Sequence, residues 1–199
     1  MNWAFGDDLN TDYYAIKIDR LPTGMTAEAF YSVVRKHFAE FMNTDIAELE
    51  PNLDFSSSKL WNSDDPTGAI MVFHALEDDA AVLTTQARET SWIFTPAGTA
   101  LDLEHPLAGH RQFGLVANED GSHSFFTRGV DMMWDIEDKF IGVDAYGLVD
   151  KGFFQTADYL WRSVMQNVAG YVNRHGGNAH TTHSFTRRIP WSNIKPVDR

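Results

Sequence analysis

Hydrophobic periodicity changes repeatedly along this chain, and two of those changes, at Ala69 and at residue 156, limit its architecture more than any other feature. From Thr26, the run AEAFYSVVRKHFAEFM places Phe30, Val33, Val34, Phe38, Phe41 and Met42 on one stripe at the three-to-four spacing of an amphipathic helix. Thr26 stands where an N-cap belongs. From Ala69 the pattern becomes short β-like runs, and from residue 156 TADYLWRSVMQNVAGYVNRH returns to helical spacing, with Leu160, Val164, Val168, Tyr171 and Val172 aligned. Helix, strands, helix is the signature of segregated α+β architecture.

The strand-like runs are AIMVFHAL, AVLTTQA after a Glu77-Asp78-Asp79 turn, and SWIFT, stopped by Pro96-Ala-Gly98. Then RQFGLVA and SHSFFTRGV flank Asn118 to Gly121, whose Asp-Gly dipeptide tolerates the positive φ of a hairpin turn. Before the first helix, residues 12–20 read as a strand with Tyr14, Ile16 and Ile18 on one face, ended by Pro22 and Gly24. A short helical turn is expected over Asp45 to Glu50, followed by a polar loop through FSSSKLWNSDDPTG. Residues 131–152 follow neither period, Gly176-Gly177 stops the last helix, and the rest reads as a short strand and extended tail over 178–199. The expectation is one α+β domain over 1–199, a curved antiparallel sheet packed on a long C-terminal helix, with an N-terminal strand and helix.

That element order resembles the helix-grip fold of the START and Bet v 1 proteins. The resemblance implies a bent sheet wrapped round the last helix, with an apolar cavity between them. About six strands are legible where that family has seven, and the 131–152 segment and the residues after Gly177 are additional.

Charge and composition remove several functions. Sixteen basic against 28 acidic residues give −12, a field that repels phosphate backbones and anionic lipid, so no nucleic-acid partner is expected. The chain has no cysteine, which excludes disulfides, thiolate metal ligands and cysteine nucleophiles. No apolar run approaches the roughly 20 residues of a membrane span, and the opening residues lack a secretory signal's basic and apolar regions. A cytoplasmic protein is expected, with signal-independent secretion left open. Gly-x-Ser-x-Gly, a phosphate-binding Gly-rich loop, His-Glu-x-x-His and a dinucleotide fingerprint are all missing, and no cofactor is implied. His175, His180 and His183 lie in HGGNAHTTH without a neighbouring carboxylate, so no metal site is expected.

The densest polar group is HPLAGHRQFG at 105–114, facing FFTRGVD at 125–131 across the hairpin. There, His105, His110, Arg111 and Arg128 are candidates to orient a polar or anionic head group at the mouth of a pocket. Trp92, Phe113, Phe126, Trp161 and Met165 are candidates to line it, among 14 Phe, 6 Trp and 6 Tyr. The first function expected is therefore binding of a small apolar or amphipathic ligand. The alternatives are a hydrolase or lyase, with His110 as base, Asp131 orienting it and Arg128 stabilising negative charge, and an acidic interaction protein of a bacterial conflict or secretion system. A protein partner or homodimer also fits the aromatic content.

Overall fold

The computed structural model describes residues 8–51, 55–75, 78–98, 107–133 and 149–194. Its centre is one curved antiparallel sheet in the order β2-β3-β4-β5-β6-β7-β1-β8. The strands are β1 (Asp8–Arg20), β2 (Ala47–Pro51), β3 (Ile70–Ala75), β4 (Asp78–Arg88), β5 (Ser91–Ala97), β6 (Leu107–Ala117), β7 (His123–Met133) and β8 (Asn178–Pro190). Consecutive strands from β2 to β7 pair as neighbours. β1 closes the order by pairing with β7 on one side and β8 on the other.

Among the described residues three α-helices pack with this sheet: α1 (Ala27–Lys36), α2 (Phe55–Trp61) and α3 (Val149–Arg174). Thr26 caps α1, its Oγ1 accepting from the Ala29 amide at 3.2 Å. The helix ends at His37, but its apolar stripe continues through a 3₁₀ turn at Phe38–Phe41, where both phenylalanines are buried. α3 lies against β1, β7 and β8, burying Leu160, Trp161, Val164, Met165, Val168 and Val172. Gly176, at φ 78°, terminates it in a conformation that a side chain rarely adopts.

The apolar core centres on Trp92, stacked 4.8 Å from Phe113 and edge-on to Phe38 at 5.3 Å, with Tyr31 at 5.8 Å and Trp61 at 6.3 Å. Offset and edge-to-face contacts suit the ring quadrupoles, so α1, α2 and the β5–β6 strands fit together as one aromatic cluster.

Three sequence expectations are corrected. Residues 47–51 form β2 instead of a helical turn, because Ala47 and Leu49 are buried while Glu48 and Glu50 point outward, a period of two. FSSSKLW is α2 instead of a loop: Trp61 is drawn into the core, 5.6 Å from Phe94, and this tertiary contact outweighs the serine-rich composition. The residues after Gly177 include a strand of 13 residues, β8, paired with β1 over most of its length. The irregular 131–152 segment lies mostly outside the described residues, with β7 continuing to Met133 and α3 beginning at Val149. Among the described residues no helix is long and apolar enough to cross a membrane.

Candidate functional site

Register places a polar patch on the inner face of the sheet, beneath α3. Residues directly opposite in an antiparallel pair share a face, so the pairings run in rows across four strands. One row is Gly109, Asp131, Asn10 and Arg188; the next is Arg111, Gly129, Asp12 and Thr186; the third is Phe113, Thr127, Tyr14 and Ser184. Asn10, Asp12 and Asp131 are buried, at 1%, 4% and 6% exposure.

Arg111 lies at the middle of this network. Its Nη1 donates to Asp12 Oδ1 at 2.8 Å and to Thr127 Oγ1 at 3.3 Å, and its Nη2 donates to Asp12 Oδ2 at 2.5 Å. The guanidinium carbon sits 4.3 Å over the Trp161 ring of α3. Asp12 also accepts from the Gly129 amide at 3.1 Å and from Asn10 Nδ2 at 3.2 Å, so four donors converge on one carboxylate. Two glycines make this packing possible. A Cβ on Gly129 would stand 2.3 Å from Arg111 Nη2, and one on Gly109 would meet the Val130 carbonyl oxygen at 2.2 Å.

Asp131 is held less tightly. It accepts from Asn10 Nδ2 at 3.2 Å and lies 3.7 Å from Arg111 Nη2. Burial pushes its carboxyl up to about 6; Arg111 opposes this and the Asp12 charge reinforces it. Against α3, Tyr14 Oη donates to Asp158 Oδ1 at 2.6 Å, and Arg188 Nη2 donates to Asp158 Oδ2 at 2.9 Å. Burial, before the bond to Asp158, raises the Tyr14 hydroxyl far above its usual value, so it remains a donor. Two buried polar atoms in this patch, Asn10 Oδ1 and Arg188 Nε, have no hydrogen-bond partner among the described residues.

The chain matches no family model and no curated protein sequence. The site therefore has to be understood from its own chemistry.

The residues expected from the sequence divide between the two faces of the sheet. Arg111, Asp131, Trp92, Phe113, Trp161 and Met165 are inside and buried or nearly so, with Phe113 and Trp161 rings 5.6 Å apart. His110, Arg128 and Phe126 are outside. His110 contacts Thr95 through Nδ1 at 2.8 Å, Arg128 donates to Gln112 at 2.8 Å, and Phe126 stacks on Tyr13 at 5.9 Å. The reason is the strand's two-residue period, which turns His110 away from Arg111 and Arg128 and Phe126 away from Thr127 and Gly129. A His110–Asp131–Arg128 site is therefore split by the sheet. His105 lies outside the described residues.

Sequence reasoning missed Asn10, Asp12, Tyr14, Asp158 and Arg188 as site residues. A signal was present for the first two: they share parity with Tyr14, Ile16 and Ile18, so that face of β1 begins with three polar side chains, Asp8, Asn10 and Asp12. Elsewhere, a surface groove of about 340 Å³ borders α1 near Tyr31, Arg35 and Arg88. Arg35 is already engaged there, donating to the Trp61 and Ser63 carbonyls at 2.6 and 2.7 Å. Among the described residues no group of three or more His, Asp or Glu side chains is arranged to hold a metal ion.

Proposed function

We propose that this chain is a small-molecule-binding domain of the helix-grip kind, taking an amphipathic ligand between the inner face of the sheet and α3. The polar end of the ligand would lie against Asn10, Asp131 and Arg188, and its apolar part along Trp161 and Phe154. The strand order supports this reading: β1 sits between β7 and β8 at the side of the sheet that α3 covers.

One observation carries the proposal. Asn10 Oδ1 and Arg188 Nε are buried in the same row of the sheet without partners among the described residues. A buried donor or acceptor left unpaired costs about 1–3 kcal/mol, and two of them beside an aromatic wall form a site that gains by receiving a polar group. Native mass spectrometry of the purified chain tests this. An adduct of defined mass that is lost in Asn10→Leu is expected; a wild-type protein that carries no adduct and binds no added amphiphile would refute it.

Acid–base catalysis is a second reading, favoured by the Asp131 carboxyl at about 6, a value suited to proton exchange near neutrality. In this reading Asp131 carries the proton, Asn10 orients it, and His110 and Arg128 have no part. A bound molecule whose mass changes on incubation with wild type but not with Asp131→Asn would select catalysis over binding.

A further inference from the structure

We infer that the head group taken by this site presents a hydrogen-bond acceptor to Arg188 and a hydrogen-bond donor to Asn10 at once, as a primary amide or a hydroxyl does. The inference rests on the ligand-binding reading above and adds the chemistry of the ligand's polar end. It concerns the sense of the hydrogen bonds and not the charge of the ligand.

The two unpaired atoms of this row have opposite sense. Asn10 Nδ2 is turned towards Asp12 Oδ2 and Asp131 Oδ1, 3.2 Å from each. Asp12, already paired with Arg111, only accepts, so it fixes which end of the amide faces it. Oδ1 is left on the other side as an acceptor without a partner among the described residues, in a side chain only 1% exposed. Arg188 is held from two directions. Its Nη2 donates to Asp158 at 2.9 Å, and its guanidinium carbon lies 5.3 Å from the centre of the Phe154 ring. A planar group fixed at one nitrogen and one face has little freedom to turn. Its Nε is therefore a buried donor that finds no acceptor among the described residues.

Register brings the two together. Asn10 on β1 and Arg188 on β8 are direct partners, and side chains opposite one another in an antiparallel pair start about 4.5–5.5 Å apart at Cβ. A head group resting on this row meets an acceptor from β1 and a donor from β8. The row also lies at a margin that a ligand can reach, since β8 is the last strand of the sheet and the Arg188 side chain is 27% exposed. A buried water can serve both atoms, because it too donates and accepts. A ligand that takes the place of such a water gains only if it reproduces both bonds. A group that merely accepts, or merely donates, leaves one buried atom unpaired and loses affinity.

The test uses three neutral probes with the same nonyl tail: decanamide, undecan-2-one and 2-methylundec-1-ene. The ketone replaces the amide nitrogen by a methyl group, and the alkene replaces the carbonyl oxygen as well. Each is titrated below its solubility limit and followed by calorimetry and tryptophan fluorescence. Decanamide, although the most strongly hydrated, should bind wild type about tenfold more tightly than undecan-2-one, because only the amide supplies a donor to Asn10. Asn10→Leu should abolish that difference. Arg188→Met should weaken the ketone and leave the alkene unchanged, because only the ketone offers Arg188 an acceptor. Undecan-2-one binding wild type as tightly as decanamide, or ketone and alkene responding alike to Arg188→Met, would overturn the inference while leaving ligand binding intact. If the folded wild-type chain binds none of the three, the binding reading falls and this inference with it. The ranking of amide over ketone is read on wild type and does not depend on any variant folding.

Discussion

Arg111 on β6 reaches over Gly129 on β7 and is gripped through both terminal nitrogens by Asp12 on β1, two strands away. Such a span ties three strands together with one side chain. It also places a positive charge in the interior only because a negative charge meets it there.

Breaking that pair should be costly, and removing both members much less so. Arg111→Met leaves Asp12 and Asp131 buried without their cation and is expected to cost about 3–5 kcal/mol. Asp12→Asn leaves Arg111 in the opposite predicament. The double variant should lose markedly less than the sum of the two single losses, measured by urea unfolding with slopes that stay comparable across the set. Simple additivity would show that the two side chains are energetically independent.

The two glycines of the inner face make a second prediction. Gly109→Ala sets a Cβ against the backbone carbonyl of Val130, which cannot yield, so β6 and β7 must separate. Gly129→Ala presses on the end of Arg111. Overpacking of this kind costs about 1–3 kcal/mol, with Gly109→Ala the larger. In an Arg111→Gln background the Gly129→Ala cost should shrink, whereas that of Gly109→Ala should not; thermal melts of wild type, the three single variants and the two double variants decide it.

Asp131 should shape the pH dependence of stability. Its folded value of about 6 lies above the ordinary 3.8, so between those values the folded chain binds a proton that the unfolded chain has released. The contribution of this group is therefore present at low pH and lost as pH rises through about 4 to 6. Relative to Asp131→Asn, wild type should become less stable across that window, by at most about 3 kcal/mol. Parallel melting curves for the two proteins from pH 4 to 7 would contradict the assignment.

At the far side of the sheet, His74 on β3 bridges β2 and β4, with Nε2 3.0 Å from Glu50 and Nδ1 2.5 Å from Asp79. Burial lowers its pKa, but the hydrogen bonds and charges of Asp79 and Glu50 outweigh that, and the net shift is upward from 6.5. The clamp is fully present below 6.5 and is released as pH rises through the folded value. An imidazole NMR titration should show a midpoint above 6.5 that falls in Glu50→Gln. A midpoint at or below 6.5 would dismiss the clamp.

How much of this could be read beforehand varied by element. The α3 stripe was legible because a long helix repeats its period enough times to stand out, and Leu160, Val164, Val168 and Val172 are all buried. The 118–121 turn was legible because Asp-Gly chemistry is local: Gly121 takes a φ of 81° and Asp120 accepts from the Ser122 amide at 3.1 Å. β2 was misread because five residues are too few to separate a period of two from a helical turn. The site was half-read: Arg111 and Asp131 were singled out, but their neighbours in the hairpin sequence, His110 and Arg128, face the other side.

By itself, the sequence determined the α+β class, the two amphipathic helices and the hairpin turn. Each follows from interactions between residues close in the chain. Tertiary structure alone decided that Asn10, Asp12, Arg111, Asp131 and Arg188, up to 178 positions apart, meet in adjacent rows of one sheet face. Strand order and register are set by packing between distant segments, and a shift of one residue would have turned every one of these side chains to the opposite face.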